Sequence, residues 1–197
     1  MTLKSKLPKL PAIGLVVSGG HTNLFYIKSF KQFYLLGQTR DDAVGEAFDK
    51  VAKILNLGYP GGPIIDKLAK DGGNTRVRFA CAELPDSFDF SFSGIKTAVL
   101  YHHRAQRDSA EYSAPKIAYA FQDSVVDVLV KKCMAACVKK KCGVLLVGGG
   151  VACNSMLRER LASEGKNQNI DVFFPPLELC LDNAAMIAGL GYHANKN

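Results

Sequence analysis

The chain has 197 residues, of which 48% are hydrophobic and 22% are charged, so it can bury a core as one large domain or two small lobes. Its formal net charge of +7 favours an anionic partner such as a nucleotide or a nucleic acid. No apolar run is long enough to span a membrane, Met1–Pro11 lacks the pattern of a signal peptide, and none of the six cysteines forms a Cys-x-x-Cys pair. We therefore expect a protein of the reducing cytoplasm that is neither membrane-bound nor a zinc ribbon.

Three short strands open the chain and, as consecutive strands joined by tight turns, they predict an antiparallel meander. They span 13–17, 23–28 and 33–37. The helix predicted next, at 43–55, repeats apolar residues at helical spacing, and Asp41 or Asp42 is its expected N-cap. Beyond it, helices at 64–70 and 93–104 enclose an irregular surface excursion.

The second half of the chain alternates helices and strands. Helices are predicted at 115–141, 153–163 and 182–193, and strands at 143–147 and 170–174. Lys139–Lys141, at the end of the longest helix, suit the negative end of the helix dipole, and contact with nucleic acid is the alternative. An antiparallel meander followed by right-handed crossovers predicts an α/β fold with a mixed sheet and helices on its faces.

Two glycine-rich turns are the main candidates for a ligand site. The first, Ser18-Gly-Gly-His21, follows a buried strand, and the second, Gly148–Gly150, joins a strand to a helix. Consecutive N–H groups in such turns can converge on a phosphate, and a helix N-terminus favours an anion. Each turn alone is also consistent with a plain hairpin or with tight packing, but the two together predict a nucleotide held from both sides. Neither has the Walker A or the Rossmann pattern.

Four polar side chains near these turns have two possible roles each. Asp49 and Asp66 can accept hydrogen bonds from ribose hydroxyls or can be ordinary surface carboxylates. Asn154 can bind a base or ribose or can cap the local helix, and Asp182 can bind a metal ion or cap the last helix. No Ser-His-Asp or Cys-His arrangement and no His-Glu-x-x-His motif is present, so we expect no side-chain nucleophile.

Six motifs in this order resemble the C-terminal lobe of the TsaD family of tRNA adenosine threonylcarbamoyltransferases, from about Pro11 to the end of the chain. They are Leu15–Thr22, Asp42–Lys50, Tyr59–Pro63, Asp89–Lys96, Gly148–Asn154 and Cys180–Ala188. The resemblance implies an actin- and Hsp70-like (ASKHA) fold, built from two ribonuclease-H-like lobes. This chain would supply the C-terminal lobe at 11–197, with an extension at 1–10 and a helical insertion at about 58–112.

The resemblance also implies a reaction, in which threonylcarbamoyl passes from threonylcarbamoyl-adenylate to N6 of the tRNA adenosine next to the anticodon. The implied substrate contacts are Val16, Val17, Ser18, Gly19, Gly20, Asp49, Gly62, Asp66 and Asn154. Asp182 would bind the family's single metal ion, iron or zinc. The implied partners are tRNA, a paralogous subunit, a kinase-like ATPase and the synthase that makes the adenylate.

Two family features are absent from the sequence: the N-terminal lobe with its Glu-Thr-Ser-Cys-Asp loop, and the His-x-x-x-His pair of the metal site. We therefore expect a truncated, split or degraded form of the enzyme that is inactive by itself. Two other functions stay open. One is a non-catalytic paralogue that serves as a binding or scaffold module, and the other is a sugar- or acetate-kinase-like ATPase of the same superfold.

Overall fold

A mixed five-stranded sheet forms the centre of the protein in the computed structural model, which describes residues 8–73 and 75–195. The strands are β1 (Ala12–Val17), β2 (Thr22–Ser29), β3 (Gln32–Gln38), β4 (Val144–Gly148) and β5 (Asp171–Phe173). β1, β2 and β3 pair antiparallel, whereas β4 pairs parallel to both β1 and β5. The sheet order is therefore β3-β2-β1-β4-β5, which confirms the predicted meander and mixed sheet.

Six α-helices of the described residues surround this sheet, and each was predicted to within a few residues. They are α1 (Val44–Ile54), α2 (Gly61–Ala69), α3 (Ser93–Gln106), α4 (Ala114–Lys140), α5 (Ser155–Asn167) and α6 (Ala184–Asn195). The irregular excursion before α3 is confirmed as well. The predicted limits of the N-terminal extension and of the helical insertion stay predictions, and most of the extension lies outside the described residues.

The core lies between one face of the sheet and helices α1, α2 and α4. Ile13, Leu15 and Val17 alternate along β1 toward this face and are fully buried or nearly so. Phe48 of α1 and Phe121 of α4 meet edge to face, with ring centroids 5.0 Å apart. Burial of each such side chain contributes about 1.5–3 kcal/mol, so these contacts fix α1 and α4 against β1.

The cysteines of α4 act as small apolar groups. Cys133 and Cys137 are buried, and burial raises the pKa of the Cys137 thiol to about 12, so this thiol stays neutral. All six cysteines of the chain lie among the described residues and none forms a disulfide. Among the same residues, no helix is both long enough and apolar enough to cross a membrane.

Asp41 and Asp42 do not cap α1, contrary to the sequence prediction. The N-cap of α1 is Ala43, whose N–H group donates to Glu46 Oε2 over 3.4 Å. Asp41 instead reaches the start of α3. Its carboxylate accepts hydrogen bonds from both the hydroxyl and the N–H group of Ser93, and from the N–H group of Phe92 at 2.8 Å. Helix α1 is therefore capped partly by Glu46 and partly by Thr22 of β2, whose hydroxyl accepts from Val44 N at 2.8 Å, and α3 too is capped by a distant segment.

The motif at Asp89–Lys96 fastens α3 to the turn before α1. Its phenylalanines, Phe90 and Phe92, are fully buried, whereas the residues between and beside them are polar. Asp89 accepts hydrogen bonds from Gln38 N and Arg40 Nε, and Lys96 pairs with Asp42 at 2.9 Å. This is the alternation of an extended segment that has one buried and one polar side. It explains the Phe-Ser-Phe-Ser pattern of residues 90–93.

Replacement of Asp41 by alanine should lower the free energy of unfolding by about 1–2 kcal/mol, because the start of α3 then loses its cap. Urea unfolding, followed by circular dichroism, measures this. Asp108→Ala is the control, since Asp108 lies on the surface and pairs only with its neighbour Arg107 at 3.5 Å. The control should change stability by less than about 0.5 kcal/mol.

The effect of Asp41 should also depend on pH. Burial acts to raise the pKa of Asp41, but hydrogen bonds from Ser91, Phe92 and Ser93 outweigh it and hold the pKa below the ordinary 3.8. The stabilisation is therefore complete above pH 3.8 and is lost as the pH falls through the lower value of the folded protein. A difference between wild type and Asp41→Ala that starts to shrink already at pH 6 would contradict this assignment.

Candidate functional site

The two glycine turns lie side by side at one edge of the sheet. β1 and β4 are parallel neighbours, and Val16 pairs in register with Gly148. Each turn follows the carboxyl end of its strand, so both turns emerge at the same edge. In open α/β sheets this edge is where ligands bind. The turns are thus brought together as the sequence predicted, although they are neighbours rather than opposite walls.

The first turn is held closed by its own serine and by α1. Ser18 N donates to the carbonyl of His21 at 2.8 Å, and Ser18 Oγ accepts from Gly20 N and His21 N at 3.3 and 3.1 Å. Gly45, in the first turn of α1, donates its N–H group to Ser18 O. A Cβ atom at Gly45 would lie 2.7 Å from that oxygen, so only glycine allows this approach. A phosphate can receive the two N–H groups only if the Ser18 hydroxyl turns away.

The second turn packs directly on the end of β1. Gly149 has a φ of +94°, which L-residues with side chains rarely adopt, and a Cβ atom there would lie 2.3 Å from Val17 O. After it, Gly150–Cys153 forms a short 3-10 turn that leads into α5. The glycine is therefore required for the contact between the second turn and the end of β1, whether or not a ligand binds.

The start of α5 is capped by two side chains that the sequence proposed as ligand contacts. Asn154 Oδ1 accepts from Leu157 N at 2.9 Å, and its Nδ2 donates to the buried Gln122 at 2.8 Å. Asp66 accepts from both N and Oγ of Ser155, at 3.1 and 2.9 Å. Because a carboxylate of the chain already occupies this positive helix end, we do not expect a phosphate to bind at the N-terminus of α5.

Asp49 caps α2 in the same way. Its Oδ1 accepts from Gly61 N at 2.7 Å, and a Cβ atom on Gly61 would lie 2.7 Å from Asp49 Cα, so α1 and α2 touch here. Gly62 follows and has open space where a Cβ atom would point. Asp49 lies one helical turn after Gly45 and lines an open concavity of about 550 Å³ that also includes Lys53 and Tyr59. One carboxylate oxygen therefore supports the fold, and the other can face a ligand.

Asp182 is exposed near the second turn. Its neighbour Leu181 lies 3.2 Å from where a Cβ atom of Gly150 would be. The alternative role as N-cap of the last helix is wrong, because Asn183 Oδ1 accepts from Met186 N at 3.3 Å. Among the described residues, no group of three or more His, Cys, Asp or Glu side chains could hold a metal ion. A single exposed carboxylate does not make a metal site, so residues 8–73 and 75–195 do not by themselves complete the predicted one.

Sequence reasoning missed three residues that organise this edge: Gly45, Gln122 and Ser155. Gln122 is the polar residue in the apolar stripe of α4, and it is only 2% exposed. Its burial, and hence its need for a hydrogen-bond partner, could have been predicted from that position. Gly45, inside an otherwise helical pattern, also signalled a close approach of two backbones. Ser155 gave no comparable signal, because its partner Asp66 is 89 residues away.

Comparison with known proteins decides the family. A sequence model of the TsaD family, tRNA N6-adenosine threonylcarbamoyltransferase, matches residues 1–189. The chain belongs to the TsaD family. A tRNA N6-adenosine threonylcarbamoyltransferase of Syntrophus aciditrophicus is 50% identical over 190 residues, which are 96% of this chain and 56% of the relative. One from Clostridium botulinum strain 657 is 52% identical over 186 residues, 93% of this chain and 55% of the relative. The chain therefore spans about half the length of the curated relatives it matches.

Solved structures confirm the fold class. The crystal structure of full-length HypF in the phosphate- and nucleotide-bound form superposes with a TM-score of 0.73 at 12% identity, over 97% of this chain and 34% of that one. HypF of T. kodakarensis gives 0.67 at 14% identity, over 93% of this chain and 34% of that one. At such low identity the likeness shows the fold alone, which is the predicted ASKHA-type lobe.

Gly149→Ala should lower the free energy of unfolding by at least about 2 kcal/mol. The new methyl group would meet Val17 O, and the backbone φ at this position, which glycine tolerates, is unfavourable for alanine. Chemical denaturation measures the loss. Gly94→Ala, in the first turn of α3, is the matched control, because a Cβ atom there meets nothing within 4 Å. It should leave stability unchanged or raise it by up to about 1 kcal/mol. Equal stability of the two variants would mean that Gly149 does not pack against Val17.

Proposed function

We propose that this edge of the sheet is one half of a binding site for threonylcarbamoyl-adenylate. The complete enzyme would transfer threonylcarbamoyl to N6 of the tRNA adenosine next to the anticodon, in the cytoplasm. The observation that supports the proposal is that Ser18–Gly20 and Gly148–Gly150 follow neighbouring parallel strands, with Gly149 against the last residue of β1, in a member of the TsaD family. Together they offer an exposed, side-chain-free backbone surface beside two parallel strands.

Some residues of this edge would contact the substrate, and others would hold the contacting residues in place. The exposed Gly19 and Gly20 would face the phosphate, and the free oxygen of Asp49 would accept from ribose hydroxyls. Val16 and Gly62 would border the adenosine, whereas Val17 is fully buried and would only hold the first turn in place, which corrects its predicted role as a direct contact. Asp66 and Asn154 would act indirectly: they hold the start of α5 and with it the second turn. These indirect roles differ from the direct contacts that the family resemblance implied.

In this reaction the amine of the tRNA adenosine attacks the carbonyl carbon of the threonylcarbamoyl group. The new C–N bond replaces the C–O bond to the phosphate, AMP leaves with the electron pair, and a proton leaves N6. Since the tRNA provides the nucleophile, the protein needs to orient the adenylate and the adenosine rather than to supply a catalytic side chain. That need is consistent with the absence of a catalytic triad in the sequence.

We propose Asp182 as one ligand of a divalent metal ion, iron or zinc, whose other ligands would come from outside this chain. When bound, such an ion would supply a Lewis acid for the carbonyl group. The exposed position of Asp182 beside the second turn supports this assignment. The paralogous subunit, the kinase-like ATPase and the adenylate synthase are the further partners that we propose.

One observation favours the alternative of a non-catalytic binding module. Asp49, Asp66 and Asn154 all cap helices, so folding alone accounts for their presence. Transfer of labelled threonylcarbamoyl to tRNA distinguishes the two functions. The assay is run with this chain alone and together with the segment of the Syntrophus aciditrophicus relative that this chain does not match. Activity only in the mixture supports the proposed enzyme, whereas none in either assay supports the binding module.

Gly19→Asp should reduce this transfer at least about 100-fold without a loss of stability. The new side chain has open space around it, but its negative charge would repel the adenylate phosphate. The matched control is Gly143→Asp, which adds the same charge in open space before β4, at the opposite edge of the sheet. The control should keep full activity. Unchanged activity of Gly19→Asp would place the phosphate elsewhere.

A further inference from the structure

Two cysteines that are distant in sequence lie next to each other beside the second glycine turn. Cys153 ends the short 3-10 turn that begins at Gly150, and Cys180 follows another short turn, Leu177–Leu179. The Cys153 thiol donates to Leu177 O, with Sγ and O 3.7 Å apart, and Cys180 N donates to the same oxygen at 3.3 Å. The two thiols also share a hydrogen bond. The fold therefore brings these two sulfur atoms into contact.

Arg158 of α5 holds the two cysteine segments together. Its Nε donates to Ala152 O at 2.6 Å, and Ala152 directly precedes Cys153. Its Nη2 donates to Pro175 O at 2.8 Å and to Cys180 Sγ at 3.4 Å. A guanidinium group is planar and presents its donors in fixed directions, so it can hold several acceptors at a defined spacing. The packing of α5 thus supports the contact between the thiols.

The two thiols differ in their access to solvent. Cys153 is partly exposed, whereas Cys180 is only 3% exposed. Burial and, next, the hydrogen bond with Cys180 raise the pKa of the Cys153 thiol above its ordinary 9.0, so Cys153 is neutral at rest. Three further cysteines, Cys133, Cys137 and Cys142, are buried as well. An oxidant in solution would therefore reach Cys153 before any of these, and Cys180 is the thiol that can react with the product.

A metal site is the other common use of two neighbouring thiols. A structural zinc ion takes four protein ligands, however. Within residues 8–73 and 75–195, no cluster of three or more His, Cys, Asp or Glu side chains could hold an ion. Two thiols in contact without further ligands favour the formation of a disulfide instead. In reducing compartments such disulfides are mostly transient and serve in catalysis or redox sensing.

We propose that Cys153 and Cys180 form a reversible disulfide when a hydroperoxide oxidises them. The Cys153 thiolate attacks one oxygen atom of hydrogen peroxide and the O–O bond breaks. The products are a sulfenic acid and hydroxide, which takes up the proton that Cys153 has lost and leaves as water. The Cys180 sulfur then attacks the Cys153 sulfur, the S–O bond breaks, and a second water leaves. The two thiols lose two electrons and two protons, and exchange with added thiol restores them.

The disulfide would couple the second glycine turn to the segment that carries Asp182. Sulfur atoms in non-bonded contact must approach further to form the bond, so the two segments are drawn together. Asp182 lies two residues after Cys180 and would move with it. Oxidation would therefore change the spacing between Gly148–Gly150 and Asp182. This effect on the site rests on the proposed function, whereas the formation of the disulfide does not.

The test is oxidation of the purified 197-residue chain. The chain is treated with hydrogen peroxide in mildly alkaline buffer, which raises the thiolate fraction, and free thiols are then alkylated. Mass spectrometry of the peptides should show Cys153 linked to Cys180 in more than about half of the molecules, and dithiothreitol should remove the link. Unlinked Cys153 that is oxidised to sulfinic acid, or Cys153 that does not react at all, would overturn the proposal.

Thermal unfolding gives a second measurement and the matched controls. The midpoint should rise by about 5 °C on oxidation, because the new bond restricts the unfolded chain. Cys153→Ser should show no such rise. Cys81→Ser is the matched control, since Cys81 is also partly exposed but contacts Ser124 of α4, and it should behave as the wild type does. An equal rise in Cys153→Ser, or its loss in Cys81→Ser, would contradict the assignment.

A transfer assay separates this proposal from the proposed function. Oxidised and reduced chains are each mixed with the segment of the Syntrophus aciditrophicus relative that this chain does not match. The oxidised chain should transfer threonylcarbamoyl at least about threefold more slowly, and dithiothreitol should restore the rate; Cys153→Ser should lose nothing on the same treatment. Equal rates would refute the effect of the disulfide on the site. No transfer by the reduced chain would refute the proposed function and leave a disulfide found by mass spectrometry standing.

Discussion

Three helices of this protein begin at a carboxylate that belongs to another segment. Asp41 caps α3, Asp49 caps α2 and Asp66 caps α5. The first turn of a helix leaves N–H groups unpaired and carries a partial positive charge, so a carboxylate there supplies both an acceptor and a complementary charge. Each bond contributes about 1 kcal/mol, but together they set where the helices begin relative to the sheet. The positions of the glycine turns depend on that arrangement.

This use of carboxylates explains why the edge combines rigidity with an open surface. Asp66 and Asn154 fix α5, which carries the second turn, whereas Gly45 fixes α1 against the first turn. The backbone of both turns is therefore placed before any ligand arrives, and less conformational entropy is lost on binding. Residues that the sequence predicted as ligand contacts therefore stabilise the fold before any ligand binds. A polar residue in a family motif can have both roles, and only its contacts separate them.

Most of the fold could be predicted because it depends on local patterns. The apolar runs of β1 and β4 and the helical spacing in α1 and α4 lie within single segments, and their assignments are confirmed. The caps were misassigned where the partner is distant in sequence: Asp41 precedes α1 by three residues, yet its hydrogen bonds go to Ser93. The N-cap preference of aspartate predicts that it caps the helix nearest in sequence. Tertiary packing decides which helix the side chain actually caps. The sequence predicted that the two turns share one site, but it placed them on both sides of the ligand, and the parallel pairing of β1 with β4 makes them neighbours instead.

Polar and apolar groups of the described residues differ in how completely they are buried. Every buried side-chain nitrogen or oxygen atom among them has a hydrogen-bond partner, so the polar interior is complete. The core between the sheet and α4 is also closed, as the full burial of Phe48 and Phe121 shows. Apolar area at α6, by contrast, stays in contact with water, at a cost that grows with the exposed area.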